Sequence, residues 1–432
     1  MTEQTQAGPS GVAGDQHFGK CTGGGNGKRQ QMCDGVMTVA RRKDMEEGVR
    51  ARIRDPEPRS LLLVTTVAVT LRAFLLPLAS HFRSMGWRVD ALASGATSCR
   101  LCREGFDQVF EASWGRNPFA LGQNLRAARE VRAVVRRGGY DLVHVHTPVA
   151  AWVTRLALRL RSGHPRVVYT AHGFHFFHGN SPIKNVMFMA MEKLASEWTD
   201  AVVVLNGEDE EQAHKLGLAP DGRILHMPGI GVDLCRYSPD AVSPMACERL
   251  RSELKLCPDQ RVFLQVADFV PRKRHGDLLR AFARVPRPSR LLLAGDGPEL
   301  ARAIKLAADL GIADRVDFLG VRTDVPALMK IADAVVLVSS QEGLPRCVLE
   351  AMAMGRAVVG TRIRGTKDLL EDGAGILVGV GDIDAISAAM RQVMDCPIEV
   401  GKMGMRGREL AGRYDLRNIV GLHEELYAQV LE

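Results

Sequence analysis

A chain of 432 residues is longer than one ordinary α/β core, so two domains are expected. Hydrophobic residues make up 46% and charged residues 25%, the balance of a globular protein in water, while aromatics at 5% argue against base stacking as a mode of action. The net charge of +7 suits an anionic partner, such as a nucleotide or an anionic membrane surface. No compact basic run with interleaved aromatics marks a nucleic-acid module.

Residues 1–58 are Gly-rich and polar and read as a disordered extension. They contain no apolar signal-peptide core, which points away from secretion. The nine cysteines are odd in number and irregularly spaced, so a reducing, cytoplasmic setting is expected. Cys99 and Cys102 form a lone C-x-x-C with no second pair, which reads as packing before metal or redox chemistry.

From Leu61 onward, apolar runs alternate with helix-length amphipathic stretches. The first series of strands is 61–66, 88–93, 142–146, 166–171, 201–206 and 224–228. The apolar run 61–79 is broken by Thr65, Thr66, Thr70 and Arg72, so it reads as strand, loop and helix, not as a membrane span. The helical segment 70–88 mixes apolar residues with Arg72, Arg83 and Arg88; it fits either a core-packed helix or one that meets a membrane surface. A turn-rich break follows at 233–246. The second series is 262–267, 290–295, 316–320, 334–339, 357–361 and 375–379. Strand–helix alternation of this kind predicts parallel sheets covered by helices, with ligands outside the carboxyl ends of the strands. The expected division is 59–238 for a first α/β domain, 239–414 for a second, and 415–432 for a helix that crosses back to the first.

The most informative segment is 339–365. Glu342 and Glu350 are separated by seven residues, with Gly343, Leu344 and Pro345 forming a turn between a buried strand and a helix. Free N–H groups at that helix start suit a diphosphate oxygen. Carboxylates on either side suit the vicinal hydroxyls of a sugar and a ribose. Spacing alone also fits a loop glutamate plus a solvated helix glutamate. Lys273, with Arg272 and Arg274, lies in the loop after the first strand of the second series, and Gly295 lies in a Gly-rich turn after the next. His172 follows a buried strand directly, with His175 and His178 beyond it. His144 and His146 share one face of another strand, and Arg72 lies in the first strand–loop. No carboxylate partner accompanies the histidine pair, so no metal site is expected.

The segment 339–365 resembles the E-x7-E motif of glycosyltransferase family 4, whose members retain anomeric configuration and have the GT-B fold of two Rossmann-like domains facing a cleft. The resemblance covers roughly residues 60–430 and is nearest to transferases that build capsules and exopolysaccharides. It implies that Glu342 contacts the donor sugar, Glu350 the ribose, Lys273 the diphosphate, and that His172 faces the sugar near the reacting centre. Asp268 stands where many members carry an arginine, which shifts the phosphate role onto Lys273 with Arg272 or Arg274. Backbone groups of Val321 and Arg322 lie in the segment that borders the base and are expected to read a uracil edge, and the first loop lacks the family's paired glycines. His146 and Arg72 are expected on the acceptor side. The implied activity is transfer from a nucleotide sugar, expected to be a UDP-sugar, to a lipid-linked or saccharide acceptor in polysaccharide biosynthesis, without metal or cofactor and with peripheral contact at the inner membrane leaflet. A GT-B nucleotide-sugar epimerase and a non-catalytic nucleotide-sugar-binding protein are the alternatives.

Overall fold

The structure, a computed structural model, describes residues 59–114, 120–160, 165–177, 180–219 and 223–432. The disordered reading of 1–58 and the position of His178 lie outside the described residues.

Two parallel sheets form the framework. The first has seven strands: β1 (Ser60–Val67), β2 (Arg88–Ser94), β3 (Val109–Phe110), β4 (Leu142–His146), β5 (Arg166–Ala171), β6 (Ala201–Val204) and β7 (Ile224–His226). Their order is β3-β2-β1-β4-β5-β6-β7. The second has six: β8 (Arg261–Val266), β9 (Ser289–Ala294), β10 (Val316–Gly320), β11 (Ala334–Leu337), β12 (Ala357–Thr361) and β13 (Gly375–Val378), in the order β10-β9-β8-β11-β12-β13. Every ladder is parallel, and central strands such as Leu61–Val64 and Ala334–Leu337 are buried on both faces. Continuous Val/Leu runs are the sequence form of that environment. Only β3 escapes the sequence reading, because two residues carry no periodicity.

Strand order reverses between β1 and β4, and again between β8 and β11. Neighbouring strands there send their following segments in opposite directions, which leaves a crevice at their carboxyl ends. The loops after β8 and β11 carry Lys273 and Glu342. Those after β4 and β5 start at His146 and His172.

The chain passes between the sheets twice. Val232 on the first passage bridges to Asp415 on the second, with Val232 N donating to Tyr414 O at 2.8 Å and Leu416 N to Val232 O at 3.0 Å. The C-terminal helix Leu416–Leu431 then lies on the first sheet's helical layer. Tyr427 is fully buried, its ring 4.9 Å from that of Phe82, and His144 Nδ1 is 2.6 Å from its hydroxyl. The segment 70–88, which the sequence left as either core-packed or membrane-facing, is the partner in this contact. Leu71, Leu75, Leu78, Ala79 and Phe82 are all buried in the core, so its apolar face is already occupied. Among the described residues no helix is long and apolar enough to cross a membrane.

Burial of His144 needs the Tyr427 hydroxyl. Replacing Tyr427 with Phe is expected to cost about 1–3 kcal/mol by leaving a buried ring nitrogen unpaired. Replacing it with Ala should cost about 3–5 kcal/mol through the added cavity. Urea unfolding midpoints of the two variants check the order.

Candidate active site

Two loops of the second domain converge on one carboxylate. Lys273 closes a short 3-10 turn, Pro271–Lys273, and its ammonium lies 2.6 Å from Glu342 Oε1. Arg272 Nη1 reaches Oε2 of the same carboxylate at 3.5 Å. Lys273 and Glu342 are both buried, while Arg272 is half-exposed at its tip. The loops are tied backbone to backbone, with Ser340 N donating to Arg272 O at 2.8 Å. Two cations on one anion leave this corner net positive, the electrostatic requirement for holding a phosphate. Arg274 turns instead to Asp277, and Asp268 is exposed.

Glu350 lies in the helix Arg346–Ala353, which Pro345 starts without a side-chain cap, so no side chain caps its first N–H groups. Burial pushes the Glu350 carboxyl up from its ordinary value, against the opposing pull of Arg346 and a hydrogen bond from the Tyr237 hydroxyl. Arg346 pairs with Glu350 at 2.8 Å, donates to the Ala73 carbonyl of the first domain, and lies over the Phe74 ring at 5.7 Å. Neither Arg346 nor Tyr237 stands out in the sequence, because each owes its place to a partner distant along the chain.

The first domain contributes a stack of histidines. His146 Nδ1 is 3.1 Å from His172 Nε2, and His144 contacts both Thr170 and Tyr427. His146, expected on the acceptor side, thus hydrogen-bonds His172 within the first domain. Its Nε2 is buried without a hydrogen-bond partner among the described residues, and the residue lines a partly open recess beneath the C-terminal helix. Burial lowers His172 to about 4, and it holds His144 and His146 well below their ordinary value. At neutral pH all three are uncharged, so His172 can exchange a hydrogen bond but carries no charge to a substrate.

Gly343 joins the two halves. A Cβ built on it would lie 2.0 Å from the His172 carbonyl oxygen, a separation no side chain permits. Leu344 packs against the apolar cores of both domains. The Glu342 turn therefore touches the His172 loop directly. Gly295 is required for a different reason: its φ is +152°, and a Cβ there would meet the Ala267 carbonyl at 2.0 Å, so it lets the β9 turn lie against the Lys273 loop.

Arg322 follows the edge strand β10; its side chain is held by Asp324 at 2.7 and 2.8 Å and by Glu253 at 3.1 Å, which leaves the backbone groups of Val321 and Arg322 as the part expected to border a base. Arg72 is exposed; its turn presents Phe74 to His172 instead, with ring centroids 6.1 Å apart. Cys99 serves as a helix cap, accepting from Cys102 N at 3.4 Å. Among the described residues no three His, Cys, Asp or Glu side chains converge as a metal-binding group.

Comparison with known proteins supplies the context for this geometry. Residues 248–410 match the family described as glycosyl transferases group 1, and residues 73–233 match glycosyltransferase family 4. A Bacillus subtilis protein named as the glycosyltransferase EpsD is 34% identical over 380 residues, covering 87% of this chain and 97% of that one. An Escherichia coli UDP-Gal:alpha-D-GlcNAc-diphosphoundecaprenol alpha-1,3-galactosyltransferase is 28% identical, covering 64% of this chain and 72% of its own. Among solved structures, Anabaena HepE in complex with UDP and glucose superposes with a TM-score of 0.73 at 22% identity, over 86% of this chain and all of that one.

Two outcomes follow from the site. Gly343→Ala must push the Glu342 turn off the His172 loop and is expected to lower turnover roughly 100-fold, as displacements near 1 Å do, in steady-state assays of a protein with unchanged circular dichroism. The buried histidines set the second. Their folded values lie below the unfolded value near 6.5, so the unfolded chain binds more protons as pH falls. Their contribution to stability is complete above pH 6.5 and is lost as pH drops toward 4. Thermal unfolding should fall steeply between pH 6.5 and 4, with His144, His146, His172 and His423 as the principal sources.

Proposed function

The chain belongs to glycosyltransferase family 4 and has the GT-B fold, and from that premise we propose that it transfers a hexose from a UDP-sugar to a lipid-linked saccharide acceptor, with retention of anomeric configuration. The observation that carries the reading is the Lys273–Glu342 pair at 2.6 Å, on the two loops that flank the second sheet's switch point.

Donor binding gives each partner a new role. The diphosphate takes over Lys273 and Arg272, with the free N–H groups at the start of the helix Arg346–Ala353. Glu342, released from Lys273, accepts hydrogen bonds from the sugar hydroxyls, and Glu350 accepts from the ribose. As the bond between C1 and the diphosphate oxygen breaks, negative charge grows on the leaving group, where Lys273 already stands. The acceptor hydroxyl attacks C1 from the same face. Its oxygen bonds to C1 and its proton passes to the departing phosphate oxygen, which is how retention arises without a nucleophile on the protein. Neutral His172 orients the sugar from the opposite wall. Such a site balances the diphosphate with side chains and needs no divalent ion.

Acceptor chemistry is supported by the first domain's surface. The helix Pro182–Ser196 exposes Ile183, Val186 and Leu194, an apolar row flanked by Lys184 and Lys193, which suits peripheral contact with the leaflet that holds a lipid-linked acceptor. The E. coli relative acts on such a diphosphoundecaprenol-linked sugar by name.

The test is thermal shift across a panel of nucleotides and nucleotide sugars, followed by turnover with the stabilising donor. UDP should stabilise the protein, and one UDP-sugar should do so more. Lys273→Ala and Glu342→Ala should remove transfer, by roughly 100-fold or more, in proteins that still fold. Excess EDTA should leave the wild-type rate unchanged. Donor consumption without a separate acceptor, giving an isomeric UDP-sugar, would instead identify an epimerase.

A further inference from the structure

The contact between the Glu342 turn and the His172 loop is clamped by a residue outside the sugar and phosphate positions. Arg364 lies in the loop after β12 and is buried in the second domain's wall. Its Nη1 is 2.6 Å from Asp209 Oδ1, at the start of the first-domain helix Gly207–Leu216. Both side chains are nearly inaccessible, at 4% and 0% exposure. The same guanidinium donates to the carbonyls of Phe174 and Phe176 on the His172 loop, and through Nε to the Glu342 carbonyl at 3.3 Å. The Phe177 ring lies 5.1 Å beneath it. Asp209 completes the frame from the other side, with its second oxygen accepting from Phe174 N at 3.2 Å and from Asn206 Nδ2 at 2.8 Å. Asn206 Nδ2 is also 3.3 Å from Gly343 O.

One planar fork thus holds the backbones of both loops at once. Its donors are engaged, so it is no phosphate ligand. A buried ion pair is also a poor device for stability alone, since desolvation offsets most of its attraction. What the fork supplies is fixed direction, because a guanidinium bonds several acceptors in one plane and an ammonium does not. We propose that Arg364 is a positioning residue of the transfer reaction: with Asp209 and Asn206 it sets the separation between the Glu342 turn and the His172 loop, so that both meet the same donor sugar. This rests on the sugar-transfer reading above and adds a residue to it.

Full-length Arg364→Met, Arg364→Lys and Asp209→Asn proteins test it, by steady-state kinetics and by solution X-ray scattering with and without UDP. Arg364→Met is expected to lower kcat roughly 100-fold while KM for the donor changes by less than about threefold, because the Lys273–Glu350 side of the site is untouched. Arg364→Lys should recover only part of the rate, since charge returns without the fork. Scattering should show a larger radius of gyration for Arg364→Met and Asp209→Asn than for wild type. A folded Arg364→Met protein with wild-type kcat, its loss confined to melting temperature, overturns the assignment. If Arg364→Met does not fold, Asp209→Asn and Arg364→Lys decide by the same criteria. If wild type turns over no nucleotide sugar, the transfer reading fails by itself, and an unchanged radius in the variants still refutes the clamp.

Discussion

The site depends on one steric constraint: the backbone at Gly343 lies against the carbonyl of His172 with no room for a single methyl group. That approach brings a carboxylate from one sheet and an imidazole from the other together across the crevice. The rest of the architecture supplies it. Strand order places the loops after β8 and β11 side by side, and the loops after β4 and β5 opposite them. Leu344 anchors the turn in both cores, and Arg346 adds a second polar bridge to the first domain at Ala73.

Charge is arranged with the same economy. Lys273, Arg272 and Glu342 neutralise one another only in part, while Arg346 and Glu350 pair one to one. Each carboxylate assigned to a hydroxyl contact is held by a cation that a phosphate can compete for. The first domain presents the opposite character. Its histidines are desolvated and uncharged, and they pass hydrogen bonds from Tyr427 through His144 and from His146 to His172. In the proposed reaction, one half of the crevice attracts an anion and the other orients a neutral ring.

Much of this was legible in the sequence, for definite reasons. Buried parallel strands are written as unbroken Val/Leu runs, so the sheets were readable almost strand by strand. The seven-residue gap between Glu342 and Glu350 spans one turn and one helix start, which local geometry fixes. Arg364 and Asp209 were not legible, because they are 155 residues apart and neither has a local pattern. Side-chain partners were equally hidden: the sequence does not show that Arg72 is exposed or that Asp324 and Glu253 hold the Arg322 guanidinium.

The C-terminal helix makes the first-domain wall depend on a segment that follows both sheets in the chain. Tyr427 bonds His144, whose ring lies 4.1 Å from that of His146, the hydrogen-bond partner of His172. A nascent chain can assemble both sheets, and even the Lys273–Glu342 pair, before Tyr427 emerges. It cannot finish the first-domain wall. The wall behind His172 is therefore the last part of the crevice to form during synthesis.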